Sequence, residues 1–310
     1  MNIILAKPRG FCAGVTRAIE TVEKALAKFG APIYVRHEIV HNKFVVESLR
    51  KKGAIFVDEI SQIPTGAITI FSAHGVSDKV EDDAAKRSLD VIDATCPLVS
   101  KVHREAKKYE EEDYEIILIG HRGHPEVEGT SGRVKKDVIL VTDENDARKI
   151  MVKNPQKIAY VTQTTLSVDD TKKIVEILEE RFPQMQRGLA TKDICYATQN
   201  RQDAVRALSK MVDILLVIGA QNSSNSNRLR DLGEESDLPS YLINGASDID
   251  EKWFHRVKNI GLTAGASAPE VLVQDVISRI KEISDSEVKV CDMDGITEST
   301  FFVLPRKVRK

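Results

Sequence analysis

Three cysteines recur at comparable places in the chain. Cys12, in Gly10-Phe11-Cys12-Ala13-Gly14, Cys96, in Ala94-Thr95-Cys96-Pro97, and Cys195 each fall at an expected strand-to-helix turn. Counting 29, 28 and 28 residues onward reaches His41, His124 and Ser223, and counting 62, 68 and 72 onward reaches His74, Thr164 and Ser267. Three thiolates with a fourth position left open form a metal site that also takes a substrate. Zinc with a bound water suits such donors, and so does a [4Fe–4S] cluster with one iron lacking a cysteine. Isolated cysteines also fill cores, but three at matching loop positions beside Gly, Pro and Thr favour the metal. Cys291, in the alternating Val288-Lys289-Val290-Cys291, reads as structural.

Around those sulfurs the loops offer His41, His74, His124, Ser223, Ser224, Asn225 and Ser267. Imidazoles, hydroxyls and an amide suit an oxyanion with several acceptor oxygens, and helix N-termini after the loops add backbone N–H groups. Glu126 stands two residues past His124, in Gly123-His124-Pro125-Glu126-Val127-Glu128-Gly129. A carboxyl group near an anion and away from water has a raised pKa, as a proton donor needs. Glu128 reads equally as a carboxylate at a helix start. His103 falls in a helical stretch, and His37, His121 and His255 have no counterparts at matching offsets. A Gly-x-x-x-x-Gly-Lys-Ser/Thr loop is absent, so nucleoside triphosphate hydrolysis has no support.

The elements that must carry these loops read as α/β with mainly parallel sheets. Apolar runs at 2–6, 31–35, 67–71, 89–93, 115–119, 157–161, 213–218 and 260–263 each end in small and polar residues, where a strand hands over to a helix. Helices are expected over about 15–29, with Ala18, Ile19, Val22, Ala25, Leu26 and Phe29 on one face, and over about 43–52. The common offsets predict three similar α/β units in a pseudo-three-fold arrangement. The first is 1–97, carrying Cys12 and, at its end, Cys96; the second is 98–193, the third 194–284, and 285–310 is a tail packing back on the body. A last strand is expected at Phe301-Phe302-Val303-Leu304, and the charged run 107–113 as a solvated helix end. The 310 residues carry 45 basic and 47 acidic side chains, a net charge of -2 that gives no reason to bind nucleic acid. A hydrophobic fraction of 42% with 30% charged residues is that of a globular protein. The longest apolar run is strand-sized, the N-terminus shows no secretory signal, and four cysteines are too few for a disulfide scaffold, so a cytoplasmic, non-membrane protein is expected.

The stretches Pro8–Val15, Phe71–Val76, Asp93–Val99, Gly123–Gly129, Thr162–Ser167, Asn222–Leu229 and Thr263–Pro269 together resemble the 4-hydroxy-3-methylbut-2-enyl diphosphate reductase family, from residue 1 to about 305. The resemblance implies an oxygen-sensitive [4Fe–4S] cluster on Cys12, Cys96 and Cys195, with one iron open to the substrate's hydroxyl. It also implies a diphosphate held by His41, His74, His124, Ser223, Ser224, Asn225 and Ser267. Proton delivery falls to Glu126, with Thr164 and Gln163 ordering the relay. Two electrons and two protons then release the hydroxyl as water and leave isopentenyl and dimethylallyl diphosphates. Electrons are expected from a separate ferredoxin or flavodoxin, since no second cysteine cluster or Gly-x-Gly-x-x-Gly loop occurs. Two rivals are a zinc hydrolase on the same cysteines and a non-enzymatic anion-binding module. A radical enzyme using S-adenosylmethionine keeps its three cysteines in a tight run, whereas these are 84 and 99 residues apart.

Overall fold

The computed structural model describes residues 1–186, 193–284 and 286–309. The chain opens with β1 (Asn2–Leu5), α1 (Ala13–Phe29), β2 (Ile33–Arg36), α2 (Lys43–Lys51), β3 (Ala54–Val57), β4 (Ile68–Phe71), α3 (Asp78–Lys86) and β5 (Asp90–Asp93). Next come α4 (Pro97–Glu111), β6 (Glu115–Ile119), α5 (Pro125–Ser131), β7 (Ile139–Val141), α6 (Glu144–Lys149), β8 (Ile158–Thr162) and α7 (Val168–Arg181). It closes with α8 (Tyr196–Leu208), β9 (Ile214–Ile218), α9 (Ser224–Glu234), β10 (Ser240–Ile243), β11 (Asn259–Ala264), α10 (Glu270–Ile283) and β12 (Lys289–Asp292). Two compact units result: Met1–Thr16, His41–Glu47 and Tyr196–Phe301 form one, and Arg17–Val40, Ser48–Cys195 and Phe302–Lys310 the other.

The first unit holds a parallel sheet of order β10-β9-β11-β1-β12. Ile214, Leu216 and Ile218 face α10 through Val273, Val276 and Ile280. The alternate residues Leu215 and Val217 face α8 and α9 through Val205, Leu208, Leu229 and Leu232. Both faces of β9 are covered, which is why its sequence is an unbroken apolar run. The second unit holds two parallel sheets, β3-β2-β4-β5 and β7-β6-β8. In the latter, Ile117, Ile119 and Tyr160 pack on α7, while Ile116, Leu118 and Val161 pack on α4 and Val127 of α5.

The three sheets share one plan, and it explains the offsets in the sequence. In each, a strand crosses by a helix to an outer neighbour, and the next strand begins on its other side: β2 and β4, β6 and β8, β9 and β11. The order reverses between those two strands, where α/β sheets bind ligands at their carboxyl ends. His74 follows β4, His124 and Thr164 follow β6 and β8, and Ser223 and Ser267 follow β9 and β11. Each cysteine ends the piece that lies outside the second strand of the pair. Cys12 follows β1 beside β11, and Cys96 follows β5 beside β4. Cys195 follows Gln186, which bridges in parallel to Ala159 of β8.

Two sequence expectations change. Residues 301–304 form no strand: Phe301 and Val303 are 75% and 57% exposed, and Arg17 Nε donates to the Val303 carbonyl at 2.9 Å. The last strand is β12, paired in parallel with β1. Its Cys291 is exposed on the sheet edge, so it fills no core. The run 107–113 ends α4 with Lys108 and residues 111–113 in solvent and Lys107 on Asp78 at 2.9 Å, but Tyr109 within it is buried in the core.

Candidate active site

Each of the three cysteines stands immediately before a long helix, Cys12 before α1, Cys96 as the N-cap of α4 and Cys195 before α8. All three are half-buried and outside any disulfide. Unpaired N–H groups at a helix start favour negative charge, the form in which sulfur binds metal. Backbone bonds fix the loops: Cys12 N–H donates to Ala266 O at 3.2 Å, Cys96 N–H to Ala73 O at 2.9 Å and Cys195 N–H to Thr164 O at 3.0 Å. The turn into Cys12 needs Gly10, whose φ is +69° and whose Cβ would stand 3.2 Å from Ala268 O.

In the first unit, α9 begins at the carboxyl ends of β9 and β11. Ser223 caps it, accepting from Ser226 N–H at 3.3 Å, and Ser224 and Asn225 form its first turn. A Cβ on Gly265 would meet Ser226 Oγ at 2.0 Å, so glycine is what lets the β11 loop reach this helix end. Ser267 Oγ donates to the His41 carbonyl at 2.9 Å, and Asn222 Nδ2 lies 3.3 Å from His41 Nδ1. Asn225 is 4% exposed, yet neither its amide nitrogen nor its oxygen has a hydrogen-bond partner. A buried unpaired amide costs several kcal/mol, on the order of 1–3 by mutational scales. At the start of α9, it makes this a seat for a ligand rich in acceptors.

In the second unit, the His74 and His124 rings stand perpendicular with centroids 5.9 Å apart. His124 caps α5: its Nδ1 accepts Glu126 N–H at 3.1 Å. That bond puts the proton of the neutral ring on Nε2, which makes it a donor toward an anion. Glu126 is 2% exposed, whereas Glu128 is exposed, which separates the two glutamates the sequence left open. Thr164 N–H donates to Glu126 Oε1 at 2.6 Å, and Thr164 Oγ1 is bonded to Oε2 at 3.1 Å. Burial pushes the Glu126 pKa up to about 7, aided by Asp193 and opposed by both Thr164 bonds. Gln163 is spent on the loops: its Oε1 accepts His121 N–H at 3.0 Å and its Nε2 donates to Thr165 Oγ1 at 2.8 Å. His103 is buried in α4, where burial and then Arg133 and Lys107 push its pKa down to about 3.

Sequence reasoning missed the charged groups behind the loops. Arg17 donates to Thr95 O at 3.0 Å, next to Cys96, and the buried Asp193 meets Lys101 at 3.1 Å, two residues before Cys195. Arg201 is wholly buried against Gly10 O. A signal existed for the last: Thr198, Arg201 and Gln202 put polar side chains on the face of α8 that Val205 shares, at core positions.

The sequence signature of the LytB protein family matches residues 3–281. The chain belongs to the LytB family. Cys12, Cys96 and Cys195 lie inside the match, and Cys291 lies outside it. Family relatives include the 4-hydroxy-3-methylbut-2-enyl diphosphate reductase of Azoarcus sp. (strain BH72), 56% identical over 309 residues, with 100% of this chain and 98% of the relative covered. That of Burkholderia pseudomallei (strain 1026b) is 57% identical over 308 residues, with 99% and 97% covered. Among solved structures, the E-1-hydroxy-2-methyl-but-2-enyl-4-diphosphate reductase of Plasmodium falciparum matches with a TM-score of 0.94 at 40% identity, covering 99% of this chain and 96% of that one. A second, (E)-4-hydroxy-3-methyl-but-2-enyl diphosphate reductase, the terminal enzyme of the non-mevalonate pathway, matches with a TM-score of 0.65 at 33% identity, covering 91% and 99%.

LytB membership implies a [4Fe–4S] cofactor. Among the described residues, no three His, Cys, Asp or Glu side chains come together as ligands of one ion. A cluster does not require that, because each thiolate binds a different iron. Three half-buried thiols at helix starts are the right donors for it. No helix among the described residues is long and apolar enough to cross a membrane.

Proposed function

We propose that this LytB chain reductively removes the hydroxyl of (E)-4-hydroxy-3-methylbut-2-enyl diphosphate, giving isopentenyl and dimethylallyl diphosphates, the last step of the methylerythritol phosphate route to isoprenoids. The observation that carries this reading is the Glu126 carboxyl, buried and bonded twice to Thr164, its pKa pushed up to about 7 by burial. Replacing the hydroxyl by hydrogen takes two electrons and two protons. One proton leaves with the oxygen as water, arriving as the C–O bond opens, and the other goes to a carbon of the allylic fragment. Glu126 supplies the first. With its carboxyl protonated, Oε2–H donates to Thr164 Oγ1, and the threonine hydroxyl then turns its own proton outward. A [4Fe–4S] cluster on Cys12, Cys96 and Cys195 supplies, when bound, a Lewis-acidic iron without a cysteine and electrons one at a time.

The remaining residues hold the diphosphate. His41, His74, His124, Ser223, Ser224, Asn225 and Ser267 donate to it, Asn225 gaining the partners its buried amide lacks. This grip is remote from the bond that breaks, so it positions the substrate. The repeat behind it has units 1–97, 98–193 and 194–284 with the tail 285–310, β1 pairing within the sheet of the third. Electrons come from a ferredoxin- or flavodoxin-type protein. Protein purified without oxygen should be brown, contain iron and sulfide, and reduce the hydroxylated diphosphate when given electrons. Colourless, zinc-loaded protein that hydrolyses phosphate esters would overturn the reading in favour of a hydrolase.

A further inference from the structure

Among the described residues Arg201 is the largest fully buried side chain, and the chemistry above gives it nothing to do. Its Nη2 donates to Gly10 O at 2.7 Å and to Phe11 O at 3.4 Å, and its Nε to Gly10 O at 3.1 Å. These are the two carbonyls before Cys12. The opposing charge comes from Glu298, whose Oε1 and Oε2 take Nη1 at 3.0 Å and Nη2 at 3.2 Å, while Asn200 Nδ2 donates to Oε1 at 3.0 Å. The stretch leading to Glu298 is tied to the chain ahead of Cys12, Met293 N–H donating to Leu5 O at 3.0 Å. A Cβ on Gly295 would stand 2.1 Å from Lys7 O, so the stretch lies directly on the backbone leading into the loop.

A buried ion pair is a poor device for stability alone, since apolar side chains of equal volume often serve as well or better. What a guanidinium does that an apolar side chain cannot is hold particular carbonyls in place. We infer that Arg201, held in turn by Glu298, is a positioning residue that fixes the Cys12 loop for cluster binding. The inference rests on reading Cys12 as a ligand. On the opposite side the loop is pinned through Gly10 N–H to Ala264 O at 2.9 Å and Cys12 N–H to Ala266 O at 3.2 Å. With the carbonyls on Arg201 and the amides on the β11 loop, the backbone around the sulfur has no slack.

The test uses full-length Glu298→Gln, which keeps acceptor and volume but loses the charge, with Glu298→Ala as the more severe variant. Amide hydrogen exchange is measured on the metal-free chain, and iron release to a chelator is measured on the loaded protein. In Glu298→Gln the amides of Gly10 and Cys12 should exchange about 10-fold faster or more, with those of β9 unchanged, and iron should be released about 10-fold faster. Loop exchange or iron release within about twofold of wild type overturns the inference, as does β9 exchange rising in step with the loop. If Glu298→Ala fails to fold, Glu298→Gln alone decides. Wild-type protein that takes up no iron or sulfide would overturn the ligand reading itself, an outcome distinct from a loaded wild type with indifferent variants.

Discussion

Glu126 carries the sharpest expectations because its surroundings act on one proton. The ordinary carboxyl value is 4.5, and burial lifts it here to about 7. Between those values the folded chain binds a proton that the unfolded chain has lost, so stability declines as pH rises through the window and the loss is complete above about pH 7. Glu126→Gln removes that slope while keeping the acceptor for Thr164 N–H. Relative to wild type, the variant should gain up to about 3 kcal/mol by pH 8 and much less at pH 5, read from denaturant unfolding at the two values. Equal differences at both would show that the carboxyl ionises normally. As a proton donor Glu126 must be protonated, so wild-type turnover should fall as pH rises past about 7. Glu126→Gln should bind substrate with little change and turn over about 100-fold more slowly or worse. Single-turnover product analysis on anaerobic, reduced protein checks this, and near-wild-type product formation would end the assignment. Glu128→Gln, exposed on the same helix, should be much milder.

Helix starts are where fold and chemistry meet. Asn225, in the first turn of α9, is buried with an unsatisfied amide, so its role in the fold and its role in binding have opposite signs. Asn225→Ala should leave the ligand-free chain as stable or more so, because the desolvated amide goes. It should weaken diphosphate binding by about 10- to 150-fold, the worth of a hydrogen bond to a charged group. Thermal unfolding and isothermal titration with the substrate separate the two effects, and an analogue with an uncharged head group should not sense the substitution. A destabilised apo-protein would mean that Asn225 has a partner within the fold. The cysteines follow the same logic: Cys12→Ser, Cys96→Ser or Cys195→Ser should each lose or loosen the cluster, because serine is a harder ligand that ionises less readily. Cys291→Ser, on the exposed edge strand, should keep both cluster and activity. Iron and sulfide analysis of all four, purified without oxygen, decides; identical behaviour would refute a three-cysteine site.

Most elements were legible because their signals are local. The apolar run 213–218 and the helical face Ala18, Val22 and Ala25 reappear as β9 and α1 within a residue or two. The terminal strand was not legible, since Phe301-Phe302-Val303-Leu304 is the more apolar run but pairs with no strand, whereas Lys289–Asp292 pairs along β1. No local signal places β1 between β11 and β12, two strands more than 250 residues away. The loops that carry the candidate residues could be read from offsets because the offsets reflect strand order. Taken alone, the residues did not separate Glu126 from Glu128, and only the family resemblance chose Glu126, because the choice turns on which face of α5 is buried. The ionic braces Arg17, Arg201 and Asp193 were hidden for a related reason: each acts on a backbone carbonyl or a cation far along the chain.

At the scale of the whole chain, the question is whether metal holds the fold together. Small metal-bound domains unfold without their ion because they have no other core. Here the sheet of β1, β9, β10, β11 and β12 is covered by α10 on one face and by α8 and α9 on the other. The sheet of β6, β7 and β8 is covered likewise by α7 and α4. None of those core side chains is a cysteine. The Cys12 loop is held by Ala264, Ala266 and Arg201, all bonds that need no sulfur. Chelating the cluster should therefore abolish turnover and leave the far-ultraviolet circular dichroism unchanged, with cooperative thermal unfolding retained. Returning iron and sulfide without oxygen should restore activity without a refolding step. Collapse of the dichroism on chelation, or a chain that regains activity only after denaturation and refolding, would mean that the cysteine loops carry the fold as well as the cluster.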